Sequence, residues 1–304
     1  MRYIDLFGGI GGFRYGIEQS NKSWKCVYYS DIDKYAVQTY NKNFSTEYEP
    51  TDITKVDAGD IPDHDLICAG FPCQAFSTAG KRGGFEDTRG TLFFEVMRIA
   101  KAKRTKYLFL ENVKGLLNHN KGKTFTTILQ TMEELGYDAQ WMVLNSKFHG
   151  VPQNRERVFI IGHLRGTPKP EVQPYARYEK KNRPISIGHI SKTLTTRTGS
   201  TAKQQTLITH SLYPRSSKTG KGGTGQLSKI DQTSYCLDTG NAQAISYDRI
   251  IRKLTPLECE RLQGFPDNWT SGLSDTQRYK QCGNAVTTNV ITAIVNNWNY
   301  GGEL

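Results

Sequence analysis

Over its first 165 residues this chain alternates short apolar runs with stretches whose apolar residues recur at helical spacing. That alternation leaves few folds open. An apolar run of four or five residues is too short for a helix and suits a strand buried on both faces. Strands that take turns with helices build a largely parallel sheet covered on both sides. Residues 2–5, 24–30, 65–69, 107–110 and 157–162 carry the strand pattern. Helical spacing marks 10–19, 32–41 and 91–102, where Leu92, Val96 and Ile99 share a face and Asp87 and Thr88 can cap it. Phe125, Ile128, Leu129, Met132 and Leu135 form one further face. The order predicts a doubly wound, mostly parallel α/β sheet with 157–162 as its last strand.

The character changes at Gly166. Pro168, Pro170, Pro174 and Pro184 interrupt the chain, and residues 191–245 are rich in Ser, Thr, Gly, Lys and Gln. A structureless stretch of roughly 80 residues inside a compact protein is unusual, so a second, small, irregular domain is expected. Helical signals return at 255–263 and at 284–298, where Val286, Val290 and Ile294 share a face. A length of 304 residues suffices for one large and one small domain. Lys and Arg number 40 against 29 Asp and Glu, a net +11 that favours a polyanion such as nucleic acid. There is no run of 18 apolar residues and no signal-peptide pattern at the amino terminus, so a cytoplasmic protein without membrane contact is expected. The cysteines Cys26, Cys68, Cys73, Cys236, Cys259 and Cys282 are scattered without a C-x-x-C pair, which argues against a metal site and against disulfides.

Two stretches carry candidate chemistry. Ile4 to Phe13, Ile-Asp-Leu-Phe-Gly-Gly-Ile-Gly-Gly-Phe, follows a strand and opens a helix, where glycines let backbone amides approach a ligand. The dinucleotide fingerprint fails there, because counting from Gly9 and Gly11 its third glycine falls on Arg14. Asp31, 19 residues after Gly12, stands where an acid takes ribose hydroxyls, and Asp52 follows a third segment. By itself the loop is equally a tight structural turn or a nucleoside site. In the second case the acids favour an uncharged nucleoside such as that of S-adenosylmethionine over a diphosphate. The other stretch, Gly70-Phe-Pro-Cys-Gln-Ala-Phe-Ser77, leaves the carboxyl end of a strand, and Pro72 stiffens the backbone just before Cys73. A lone cysteine is more often a small buried hydrophobe than a nucleophile, so the rest of the chain decides.

Phe7-x-Gly9-x-Gly11, Pro72-Cys73, Glu111-Asn112-Val113, Gln153-Asn-Arg155-Glu-Arg157 and Gly283-Asn284-Ala285-Val286 follow one another in a telling order. In that order and rough spacing the chain resembles the DNA (cytosine-5)-methyltransferases of prokaryotic or phage restriction-modification type. The likeness covers residues 3 to about 165 and about 250 to 298; residues 170–245 correspond to the variable target-recognition region. The resemblance implies a Rossmann-like S-adenosylmethionine-dependent methyltransferase fold with a doubly wound mixed sheet and a small irregular target-recognition domain. It divides the chain into a catalytic, cofactor-binding part (1–168 and 275–304) and a recognition part (169–274).

It also implies roles. Cys73, presented by Pro72, would add as thiolate to C6 of a flipped-out cytosine. Glu111 would hold or protonate N3, while Arg155 and Arg157 would stabilise developing negative charge. S-adenosyl-L-methionine, leaving as S-adenosyl-L-homocysteine, would meet Phe7, Gly9, Gly11, Gly12, Asp31, Ile32, Asp52, Ile53, Gly70, Pro72, Leu92, Asn284, Ala285 and Val286, with no metal. Ile32 departs from the family pattern, since several relatives place an aromatic residue over the adenine. Double-stranded DNA would be gripped by Ser77, Lys81 and Arg82 in a basic, glycine-hinged loop. Further contacts would come from Arg215, Lys218, Lys221, Gly223, Thr224 and Lys229. The protein would act as a monomer, with no cognate restriction endonuclease physically required. A transfer-RNA cytosine-5 methyltransferase fits less well, because that branch's Cys-Phe-Thr tripeptide is absent. A catalytically silent DNA-binding relative is disfavoured by the intact Cys73, Glu111, Arg155 and Arg157.

Overall fold

The alternation resolves into β1 (Arg2–Leu6), α1 (Gly12–Glu18), β2 (Lys25–Ser30), α2 (Lys34–Phe44), β3 (Leu66–Ala69), α3 (Leu92–Lys103), β4 (Tyr107–Val113), α4 (Lys123–Glu134), β5 (Tyr137–Asn145) and β6 (Glu156–Leu164). The computed structural model describes residues 1–72, 92–172, 208–211, 227–229, 233–240, 243–247 and 250–300. The chain forms two compact units, one of Met1–Leu144, Glu156–Tyr175 and Ile291–Leu304, the other of Asn145–Arg155 and Ala176–Val290.

In the first unit the six strands lie in the order β2-β1-β3-β4-β6-β5. β1 runs parallel to β2 and β3, and β3 parallel to β4, whereas β4 and β6 are antiparallel. This is the mixed, doubly wound α/β sheet expected. All four residues of β3 are buried, because it lies inside the sheet with helices on its faces. The main core joins Ile4, Ile67 and Leu108 of the strands to Phe93, Val96 and Met97 of α3 and Ile128 and Met132 of α4. β5 went unforeseen. As the outermost strand it is only half covered, so Asp138, Ala139 and Trp141 face out, and its apolar run is confined to residues 141–144 in the second half of the strand. A short pairing of β7 (Pro170–Val172) with β12 (Trp298–Tyr300) completes this unit, with Trp298 fully buried.

The second unit holds a four-stranded sheet of β8 (Ile208–Ser211), β9 (Leu227–Lys229), β10 (Gln243–Tyr247) and β11 (Ile250–Lys253), ordered β11-β10-β8-β9 and antiparallel throughout. The region expected to be irregular therefore contains regular structure. α5 (Pro256–Leu262) begins with a capping box in which the Thr255 hydroxyl accepts from the Glu258 amide and the Glu258 carboxylate accepts from the Thr255 amide. The helix expected over 284–298 is not continuous. Asn284 is instead the last residue of α6 (Asp275–Asn284), Ala285 is extended (φ −65°, ψ 150°), and α7 (Thr288–Asn296) starts afresh. α6 escaped notice because its sequence is polar; only Gln281 and Cys282 of it are buried. Among the described residues no helix is long and apolar enough to cross a membrane.

Candidate active site

β1 ends at Leu6, directly before the glycine loop. Phe7 has φ 54°, a left-handed conformation that a side-chain-bearing residue adopts at a cost of about 1–2 kcal/mol. Strain of this kind gathers at functional sites. Gly9 (φ 55°) and Gly11 (φ 84°) follow, and a Cβ on Gly11 would collide with the Phe44 ring. At Gly9 a Cβ would meet nothing within 4 Å, so one face of the loop backbone is open. The loop is tied to the end of β2. The Gly9 amide donates to Asp31 Oδ2 at 2.8 Å, and the Tyr29 hydroxyl donates to the Gly9 carbonyl at 2.7 Å. Asp31 Oδ1 accepts from the Asp33 amide at 2.8 Å. Burial pushes the Asp31 carboxyl up, against the pull of these hydrogen bonds.

Of the other residues expected near a cofactor, Gly12 opens α1 and is buried, and Ile32 is 70% exposed, a large apolar side chain left uncovered. Asp52 accepts from the Thr54 hydroxyl (2.7 Å) and amide (3.1 Å), which hold its carboxyl below the usual range. Ile53 buries its side chain in the core and its carbonyl accepts from Arg98. Leu92 opens α3 and packs on the same core. One acid was missed. Asp5, inside β1, is fully buried, and neither carboxyl oxygen accepts a hydrogen bond of ordinary geometry among the described residues. Desolvation, then the negative charge of Asp31, pushes its carboxyl up to about 8. The visible sign was an acid within the apolar run Tyr3 to Leu6.

The second focus lies where β3 and β4 end. Glu111 on β4 is held by Arg157 on β6, with Nε 3.1 Å from Oε1 and each side chain only 12–14% exposed. The other oxygen, Oε2, flanks Gly70: a Cβ there would sit 3.6 Å from it. Beyond Gly70 the Phe71 ring is buried and Pro72 is exposed. The structure thus gathers Gly70, Phe71, Glu111, Asn112 and Arg157 around one strand end. Cys73, Ser77, Lys81, Arg82, Asp87, Thr88, Arg215, Lys218, Lys221, Gly223 and Thr224 lie outside the described residues, and Lys229 is in β9.

Arg155 is placed elsewhere. It is 2% exposed and donates through Nη2 to the Ala285 carbonyl (2.7 Å) and through both Nη atoms to the Gly283 carbonyl (3.3 Å), all within the second unit. Two glutamines, both fully buried, work beside it. Gln153 donates to the Leu262 carbonyl at 2.8 Å and accepts from the Leu237 amide at 3.0 Å. Gln263 donates to the carbonyls of Cys282 and Ala285 and accepts from the Thr287 hydroxyl at 2.8 Å. Arg155 and Gln263 thereby hold the carbonyls of Cys282, Gly283 and Ala285 where the chain leaves α6. Gln263 and Thr287 belong to no motif visible in the sequence.

The model of the C-5 cytosine-specific DNA methylases matches residues 1–299 of this chain. The chain belongs to that family. It is similar to the type II methyltransferase M1.ScrFI of Lactococcus lactis subsp. cremoris (43% identical, covering 96% of this chain and 76% of that one). Likewise it is similar to the type II methyltransferase M.HhaI of Haemophilus parahaemolyticus (39%, covering 100% and 95%). Among solved structures, Spodoptera frugiperda DNMT2 superposes with a TM-score of 0.68 at 18% identity, covering 97% of this chain and 98% of that one. That likeness shows the fold.

The protein is therefore a DNA (cytosine-5)-methyltransferase, and a methyltransferase of this family uses a methyl-donating cofactor. The residues of the first unit fit S-adenosylmethionine. One face of the backbone at Gly9 is open, and the Asp31 carboxylate and the uncovered Ile32 side chain would offer a nucleoside a polar and an apolar partner.

Proposed function

We propose that this DNA (cytosine-5)-methyltransferase acts through a covalent adduct between Cys73 and C6 of a cytosine turned out of the duplex. Turning the base out costs about a few kcal/mol and exposes atoms that stacking hides. The observation that carries the reading is the Glu111–Arg157 pair beside Gly70, at the strand end that leads into Pro72 and Cys73. Addition of the Cys73 thiolate to C6 pushes electrons toward C5 and N3. Glu111 supplies a proton or hydrogen bond at N3 as that charge develops. Arg157 fixes one carboxylate oxygen and leaves the other on the side of Gly70. C5, now enamine-like, takes the methyl group; transfer of the C5 proton to water, expulsion of the Cys73 thiolate and return of the N3 proton to Glu111 restore the aromatic ring. S-adenosyl-L-methionine, when bound, supplies an electrophilic methyl group and leaves as S-adenosyl-L-homocysteine.

Phe7, Gly9, Gly11, Gly12, Asp31, Ile32, Asp52, Ile53, Gly70, Pro72 and Leu92 are the proposed cofactor residues of the first unit. Asn284, Ala285 and Val286 extend the set by the family pattern. The proposed recognition part, 169–274, supplies DNA contacts through Arg215, Lys218, Lys221, Gly223, Thr224 and Lys229, and Ser77, Lys81 and Arg82, which follow Cys73 in the sequence, add to them. The enzyme works as a monomer in the cytoplasm, without a bound endonuclease. Cys73→Ala is expected to abolish methyl transfer while DNA binding stays measurable, and DNA carrying 5-fluorocytosine should trap the adduct. Transfer at a near wild-type rate by Cys73→Ala would sink the mechanism. Bisulfite sequencing of treated DNA identifies both the product and the recognition site.

A further inference from the structure

β3 and β4 pair in register from Leu66↔Tyr107 to Ala69↔Leu110, where the backbone ladder stops. Carried two steps further, that register sets Gly70 against Glu111 and Phe71 against Asn112. At the second of these steps the Asn112 side-chain amide donates to the Phe71 carbonyl at 2.8 Å, with both residues buried. Its Oδ1 meanwhile accepts from the Val113 amide at 2.8 Å, which fixes the orientation of the amide group.

We propose that Asn112 is a positioning residue for the nucleophile: its side chain supplies the rung that the backbone lacks and fixes the peptide from which Pro72 and Cys73 depart. Three restraints meet there. The Phe71 ring is buried 5.4 Å from that of Phe93. Its carbonyl is held by Asn112. The Pro72 ring limits the φ of Pro72 and the conformation of Phe71. Because Asn112 follows Glu111 on the same strand, β4 sets both the acid and the base of the nucleophile's loop. A displacement of about 1 Å between reacting groups can cost about 100-fold in rate.

The inference rests on Cys73 being the nucleophile. Asn112→Ala removes the donor; Asn112→Asp keeps the shape and the acceptor for Val113 but loses the donor. For either variant kcat and the rate of adduct formation on 5-fluorocytosine DNA should fall about 10- to 100-fold. KM for S-adenosylmethionine and Kd for DNA should stay within about two-fold. A near wild-type kcat, an equal loss in kcat and both affinities, or failure of both variants to fold in thermal melts overturns the positioning role. Cys73→Ala separates the two readings. If that variant is active, the nucleophile reading fails; if it is dead while Asn112→Ala is normal, only the positioning role fails.

Discussion

Arg155 and Arg157 stand two residues apart in one motif and serve opposite ends. Arg157 is bound to a carboxylate at the end of β4, in the first unit, where charge can respond to chemistry. Arg155 is buried in the second unit against neutral backbone carbonyls of the 283–285 turn. A guanidinium that holds peptide oxygens fixes the backbone, whereas one that holds a carboxylate fixes the orientation of a side chain. Spacing in a motif therefore does not reveal which role a residue has; its partner does.

The largest expected effect tests the acid itself. Glu111→Gln, which keeps the shape and an acceptor for Arg157, should lower kcat by about 10²–10⁴-fold with Tm changed far less than the rate. A normal kcat would mean that the pair on β4 and β6 is structural, like the turn in the other unit. Next comes Arg155→Ala, which strands buried carbonyls and should destabilise the fold by about 3 kcal/mol in urea titrations. Arg155→Lys cannot span the same carbonyls and should recover only part of that loss. Arg157→Lys keeps the charge but loses the Nε contact to Glu111; about a ten-fold drop in kcat with nearly unchanged stability is expected. If Arg157→Lys lost stability and Arg155→Lys lost only rate, the comparison would be reversed.

A separate effect, spread over several pH units, concerns Asp5, which is buried beside the negative charge of Asp31 and, among the described residues, makes no ion pair like that of Glu111 with Arg157. Its carboxyl is pushed from an ordinary 3.8 up to about 8, so the folded chain keeps a proton that the unfolded chain sheds between those values. Stability should accordingly fall as pH rises through that window, by up to about 1.4 kcal/mol per pH unit, and level off above about 8. Asp5→Asn should flatten that slope in urea titrations at pH 5, 7 and 8.5. An unchanged slope would show that Asp5 is not the buried proton holder.

Where side chains follow a local period, the fold was legible. β1, β3 and α3 lie within a residue or two of the expected ranges because their burial is continuous or sharply periodic. α6 was hidden by the same rule, since a half-exposed helix carries a polar sequence, and β5 because its burial neither alternates nor stays continuous. The break at Ala285 was hidden for another reason: Val286, Val290 and Ile294 keep helical spacing immediately after it, while side chains distant in the chain hold its carbonyl.

From the sequence by itself came the alternating architecture and the chemical groups at issue, a thiol, an acid, two arginines and a glycine loop, because periodicity and functional-group identity are local properties. Only the tertiary structure assigned Arg157 to Glu111 and Arg155 to the 283–285 turn, revealed Asp5 as a buried acid, and paired Asn112 with the peptide before Pro72. Those outcomes depend on desolvation and on partners that the chain brings from afar: Asn112 lies 41 residues from Phe71, and Arg155 lies 130 from Ala285.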